Sequence, residues 1–248
     1  MIQSFDYKLY LQILLITFFL LFSCCFSNYA SAQQLNPISI AYKVKLASSK
    51  LGNATIAQQQ ITLTANQNGY SGSLTTKAQG LAAILYGSTE EVINCDFNID
   101  QGKVASSQYS GGNINSDNYK VSFDWEARKI NFTDGESLDM PQGYMLDTCN
   151  FPFAAALLKD SNSLDETLYV LEGKERIIRG YTLKSNTEEQ LETVIGTINT
   201  IKIVLERELR ADRTVSLWLS PQHSYIPLKM EDKRSSRTTT MIVDTIEN

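Results

Sequence analysis

The chain predicts a mainly β protein: a single strongly curved antiparallel sheet, or a partly open barrel, with one or two short helices covering the concave side. Three observations predict it. Apolar residues alternate with polar ones in segment after segment, the period of a half-buried strand. Short, turn-forming connections join these segments and favour antiparallel neighbours over βαβ units. Only two stretches, Gly80–Gly87 and Asn150–Leu158, are apolar nearly all round. A sheet of about a dozen strands cannot stay flat and open, so it curls, splits or closes.

The first strand is marked by Ile38, Ile40, Tyr42, Val44 and Leu46, with Ser39, Lys43 and Lys45 between them. Leu51-Gly52-Asn53 turns the chain into a second strand, Ala54 to Ala65. Its apolar positions change phase, from Ala54 and Ile56 to Ile61 and Leu63, which predicts a bulge or a strong bend. Asn68-Gly69 is a hairpin turn leading into Tyr70–Lys77. The glycine-bounded run Gly80–Gly87 is one or two helical turns. Strands resume at Glu90–Ile99, Lys103–Tyr109 and Tyr119–Trp125, and Ile130 and Phe132 continue after a turn near Ala127-Arg128.

The second helix starts near Asn150, whose side chain can cap free amides, with Pro152 tolerated in the first turn. Phe151, Ala154, Ala155 and Leu158 share one face, and Phe153 and Leu157 add a second apolar flank, so most of its sides are buried. Seven further strands follow: Thr167–Glu172, Arg176–Lys184, Glu189–Val194, Asn199–Glu208, Thr214–Leu219, Ile226–Asp232 and Thr238–Ile246. Trp218 breaks phase with Val215, Leu217 and Leu219. Either both faces of its strand are covered or Trp218 is partly exposed.

Ahead of all this, Lys8, the apolar run Ile13–Phe22 and the small residues Ala30-Ser31-Ala32 form a secretion signal. The run is shorter than the roughly 18–20 residues a bilayer span needs. Residues 1–32 are therefore expected to be removed, leaving residues 33–248 as one domain, periplasmic or secreted, with no membrane span. Leu21-Phe22-Ser23-Cys24 gives the alternative of a lipid anchor at Cys24. Asp6 and Lys8 leave together, so the formal net charge stays at -5, which argues against nucleic acid as a partner. Of four cysteines only Cys95 and Cys149 lie beyond the signal, and in an oxidising compartment they are expected to pair. Lys233-Arg234-Ser235-Ser236-Arg237 reads as a solvated hairpin tip, with a contact point for anionic head groups or an acidic partner as the alternative.

Several of these residues also carry a resemblance. Tyr42-x-Val44, Leu51-Gly52-x-Ala54, Gly69-Tyr70, Gly80-Leu81, Gly102, Tyr109 and Phe123-Asp124-Trp125 come first. Gly196-Thr197-x-x-Thr200-x-Lys202, Leu217-Trp218-Leu219-Ser220-Pro221 and Ile226-Pro227-Leu228-Lys229 follow. In this order the chain resembles the exported bacterial family DUF3108 over nearly all of its length beyond the signal. The resemblance implies an exported, mostly β envelope domain and no established activity. The last forty or so residues are also similar to the end of periplasmic lipoprotein carriers, half-open barrels that shelter acyl chains under short helices; this likeness is one of architecture alone.

No catalytic constellation is present in the sequence: no G-x-S-x-G elbow, H-E-x-x-H or P-loop. A Ser-His-Asp triad would have to use His223, the single histidine, which sits in a turn-like Ser220–Ser224 segment. One histidine and two separated cysteines do not make a zinc site. The pairs Glu90-Glu91, Asp165-Glu166 and Glu188-Glu189 point to opposite faces of their strands and do not converge. The sequons at Asn53 and Asn131 are chance matches in a bacterial chain. The sequence thus predicts no catalytic residue, metal or cofactor. It predicts a non-catalytic envelope protein that binds an apolar or lipid ligand in its curved sheet, with Leu81, Ile84, Leu85, Trp125, Phe153, Leu157 and Trp218 as candidate ligand contacts. The alternative is an envelope scaffold that binds a protein partner and no small molecule. A hydrolase using His223 ranks last.

Overall fold

A computed structural model turns the alternation into one sheet. It describes residues 35–49, 52–87, 90–100, 102–113, 118–158 and 167–247, without the side chains of Leu81, Leu85, Tyr86, Leu157, Leu158 and Ala211. The predicted signal, the Cys24 anchor, Leu51 and Asp165-Glu166 lie outside the described residues. The first half of the chain supplies β1 (Ile38–Ser48), β2 (Gly52–Asn66), β3 (Gly69–Ala78), helix α1 (Gly80–Tyr86), β4 (Glu90–Asp100) and β5 (Lys103–Asn113). Next come β6 (Tyr119–Asp124), β7 (Lys129–Phe132), β8 (Ser137–Asp139), β9 (Tyr144–Asp147) and helix α2 (Phe151–Leu158). The last part contributes β10 (Leu168–Glu172), β11 (Ile177–Thr193), β12 (Gly196–Arg207), β13 (Arg210–Ser220), β14 (Ile226–Arg234) and β15 (Arg237–Glu247).

The strand order is β8-β7-β6-β5-β4-β3-β2-β1-β15-β14-β13-β12-β11-β10-β9. Two meanders therefore run outward from a central pair made by the first and last strands. β8 and β9, at the two ends of the order, do not pair with each other. The sheet instead rolls up until β9 lies against β5. Helix α2 sits inside the roll, touching β5 and β9 on one side and β13 and β14 on the other.

The concave face can be followed from strand to strand by the pairing. Ile40 faces Ile61, Gly72 faces both Leu63 and Cys95, and Met241 faces both Val44 and Met230. Ile40, Tyr42, Ile61, Ile130, Leu205 and Leu217 are among its fully buried members. The phase change in β2 has its predicted cause. Val44 pairs with Ala57 and Lys45 with Thr55, so Ile56 is the extra residue of a bulge.

Three features depart from expectation. Arg176–Lys184 and Glu189–Val194 are parts of one strand, β11, because β12 pairs straight through the polar stretch Asn186–Glu188 after a register shift near Leu183. The short strands β8 and β9 were not anticipated. The β9–β10 pair is parallel, the one exception to antiparallel pairing among the described strands, and α2 forms part of its crossover. Helix α1 continues from the end of β3 and packs beside β2 where β3 no longer covers it, with Gln79 donating its amide to the Ile56 carbonyl.

Candidate functional site

The centre of the concave face is a sealed seam. No ladder joins β9 to β5, so side chains close the roll. Cys149, just past β9, is disulfide-bonded to Cys95 on β4. Asp147 is fully buried; its two oxygens accept the amides of Cys149 and Asn150, the Ser106 hydroxyl and the Asn150 side-chain amide. Burial pushes the Asp147 carboxyl up to about 6, against the pull of those donors. The Tyr144 hydroxyl accepts the Val104 amide at 2.7 Å, and Tyr109 bonds Thr148. Phe153 stacks on Phe97 with ring centroids 6.0 Å apart. A Cβ on Gly72 would come within 2.9 Å of both the Cys95 sulfur and the Phe153 ring, so this part of the interior is filled.

The residues singled out from sequence have different neighbours. Phe153 is buried in the seam. Trp125 follows β6, stacks on Phe123 and donates its indole N–H to the Ser106 carbonyl, yet stays 39% exposed. Ile84 on α1 is 80% exposed. Trp218 lies on the convex face, where both sides of its strand prove to be covered. The Lys202 and Lys229 ammonium groups sit 4.6 and 4.1 Å from its ring centre, and Glu189 accepts its indole N–H. The backbones of Leu81, Leu85 and Leu157 lie in α1 and α2. Asp124 accepts the Ala127 amide, a turn role.

One end of the concave face carries a cluster that the sequence reading missed. Tyr181 pairs with Arg207, and Leu183 with Leu205, which in turn pairs with Val215. Val215 pairs with Asp232, and Arg179 with Val170. These side chains share the concave face with Glu172, Arg213 and Arg234. Arg213 is almost buried and grips Asp232 with two hydrogen bonds of 2.9 Å. Arg234 reaches the same carboxylate, and Arg179 bonds Glu172. Burial alone would raise the Asp232 carboxyl, but the two guanidiniums hold it below its ordinary value. Val215, Leu183, Met230 and Met241, on the same face, are only partly buried. Register assembles this mouth from five strands, so no local motif could have announced it.

His223 forms part of a single 3-10 turn, Pro221–His223. Its Nδ1 lies 2.8 Å from the Ser220 hydroxyl three residues back. A Ser-His-Asp triad needs the serine on the far nitrogen and a carboxylate on Nδ1; here a local contact occupies Nδ1. Atoms of Cys95, Asp147 and Cys149 lie within 4.8 Å of one another, but the two sulfurs are bonded to each other and offer no thiolate.

Comparison with known proteins gives a family and a fold. A family model described as a protein of unknown function, DUF3108, matches residues 41–241. No curated protein matches. Among solved structures, a beta-barrel-like protein of domain of unknown function DUF1849 from Brucella abortus is similar, with a TM-score of 0.57 and 10% identity. The similarity covers 86% of this chain and 98% of that one. A putative outer membrane lipoprotein-sorting protein domain from Vibrio parahaemolyticus gives a TM-score of 0.27 at 7% identity over 87% of each chain. The first likeness concerns the fold alone, and the second carries no argument.

Proposed function

The chain belongs to the DUF3108 family, and from that premise we propose that it is a non-catalytic envelope protein, periplasmic or secreted, that binds an apolar, lipid-like ligand on its concave face. The observation that carries this reading is the open end of that face. Val215, Leu183, Met230 and Met241 remain partly exposed beside fully buried Leu205 and Leu217. Such a strip can shield a short length of acyl chain, at about 0.8 kcal/mol per buried methylene. Ile84 and Trp125 are the accessible members of the sequence-derived set. Leu81, Leu85 and Leu157 stay in the proposal as apolar candidates, with Phe153 as a wall, whereas Trp218, on the convex face, lies away from this site. The turn contact at His223 gives no support to a hydrolase.

The filled interior around Phe153 favours a second reading, a scaffold that binds a protein partner without a small molecule. Native mass spectrometry of protein released gently from envelopes separates the two. A copurifying lipid is the expected result. Repeated recovery of bare protein, together with a crosslinked envelope partner, would replace the first reading with the second.

A further inference from the structure

The open end of the concave face carries more positive charge than its own carboxylates neutralise. Four guanidiniums cluster around its carboxylates, Arg179, Arg207, Arg213 and Arg234, with Arg210 and Arg237 paired beside Arg207 and Arg234 at the outer rim. Two carboxylates answer the four, Glu172 for Arg179 and Asp232 for both Arg213 and Arg234. Arg207 has no carboxylate partner among the described residues. Its strongest charged neighbours are Arg179 and Arg213, which together with burial lower its pKa. Arg210 is matched by Asp212, and Glu175 acts on Arg179 only weakly. This local excess of two positive charges stands against a chain whose net charge is -5.

Like charges held together at a half-buried site attract an anion. A guanidinium fork suits a carboxylate or phosphate, which it can grip with two parallel hydrogen bonds. Leu205 and Val215 follow Arg207 and Arg213 inward along the same face, with Met230 and Met241 on the strands beyond, so apolar side chains begin next to the cations. Resting on the ligand class proposed above, we infer that this mouth holds the anionic headgroup of a single-chain amphiphile, a carboxylate or phosphate monoester, with Arg207 as its principal contact and its chain along Met230 and Met241.

The test is calorimetric titration of the purified protein with decyl phosphate, decanol and inorganic phosphate, each below the concentration at which it aggregates. Decyl phosphate should bind about tenfold or more tighter than either of the others. Arg207→Gln should remove that advantage, Arg207→Lys should keep part of it, and Lys233→Gln, exposed on the opposite face of β14, should change nothing. Thermal melts of each variant check that the fold is intact, and Arg234→Gln, which leaves Asp232 paired with Arg213, should also weaken decyl phosphate binding as a second probe. Equal binding of decanol and decyl phosphate, unaffected by Arg207→Gln, would overturn the headgroup site and leave the apolar-ligand reading standing. Inorganic phosphate binding as tightly as decyl phosphate would overturn the amphiphile. No binding of decanol or decyl phosphate would remove both this inference and the reading under it.

Discussion

At the scale of single residues, Asp147 is a fully buried carboxyl that folding holds above its ordinary range. Its carboxyl is raised to about 6 from the ordinary 3.8. Between those values the folded protein holds a proton that the unfolded chain has lost. Its stabilising contribution is therefore full in acid and is lost as pH rises through about 6, a change worth about 3 kcal/mol. Urea unfolding at pH 4.5 and 7.5 should show the natural protein gaining stability on acidification relative to Asp147→Asn. An identical pH response in the two proteins would contradict this account. The pairing of Cys95 with Cys149 was legible from residue counting and the expected compartment, because only two cysteines lie beyond the predicted signal. The arginine mouth was not. Arg179, Arg207, Arg213 and Asp232 are separated in sequence and become neighbours only through strand register, which composition does not reveal. Trp218 fell between these cases: its broken phase was readable, but its cover of lysine stems from neighbouring strands was not.

At the scale of elements, the seam between β9 and β5 replaces strand pairing with covalent and side-chain closure. The disulfide spans 54 residues of sequence, a loop whose constraint on the unfolded chain is worth about 4 kcal/mol in the chain-entropy model. Replacing both cysteines with alanine should lower the unfolding free energy by about that amount and make the β9–α2 corner the first site cut in limited proteolysis. Cleavage that begins elsewhere would show that the corner is held by Asp147 and its partners alone. Long strands with unbroken alternation were readable in sequence, as was the bulge at Ile56. β8 and β9 were not, because three or four residues carry too little periodicity to register. The break expected within β11 arose from a polar stretch that reads as a connection, although β12 gives it partners along its length.

At the scale of the whole molecule, the order of strands sets what depends on what. β1 and β15 pair along almost their full length and are the only link between the two meanders in the centre of the sheet. A chain ending at Arg234 would expose the edges of β1 and β14 together and leave the halves joined only through the seam. It should show no cooperative unfolding transition by circular dichroism and should aggregate through those edges. A sharp transition in that truncation would mean that one meander folds alone. Contacts between the first and last segments are the most distant in sequence a chain can make, and such contacts slow folding. Of the described strands, β15 is made last, and it is the one that joins the halves. Synthesis must pass Glu247 before the middle of the sheet can exist, so until then a growing chain keeps the facing edges of β1 and β14 unpaired.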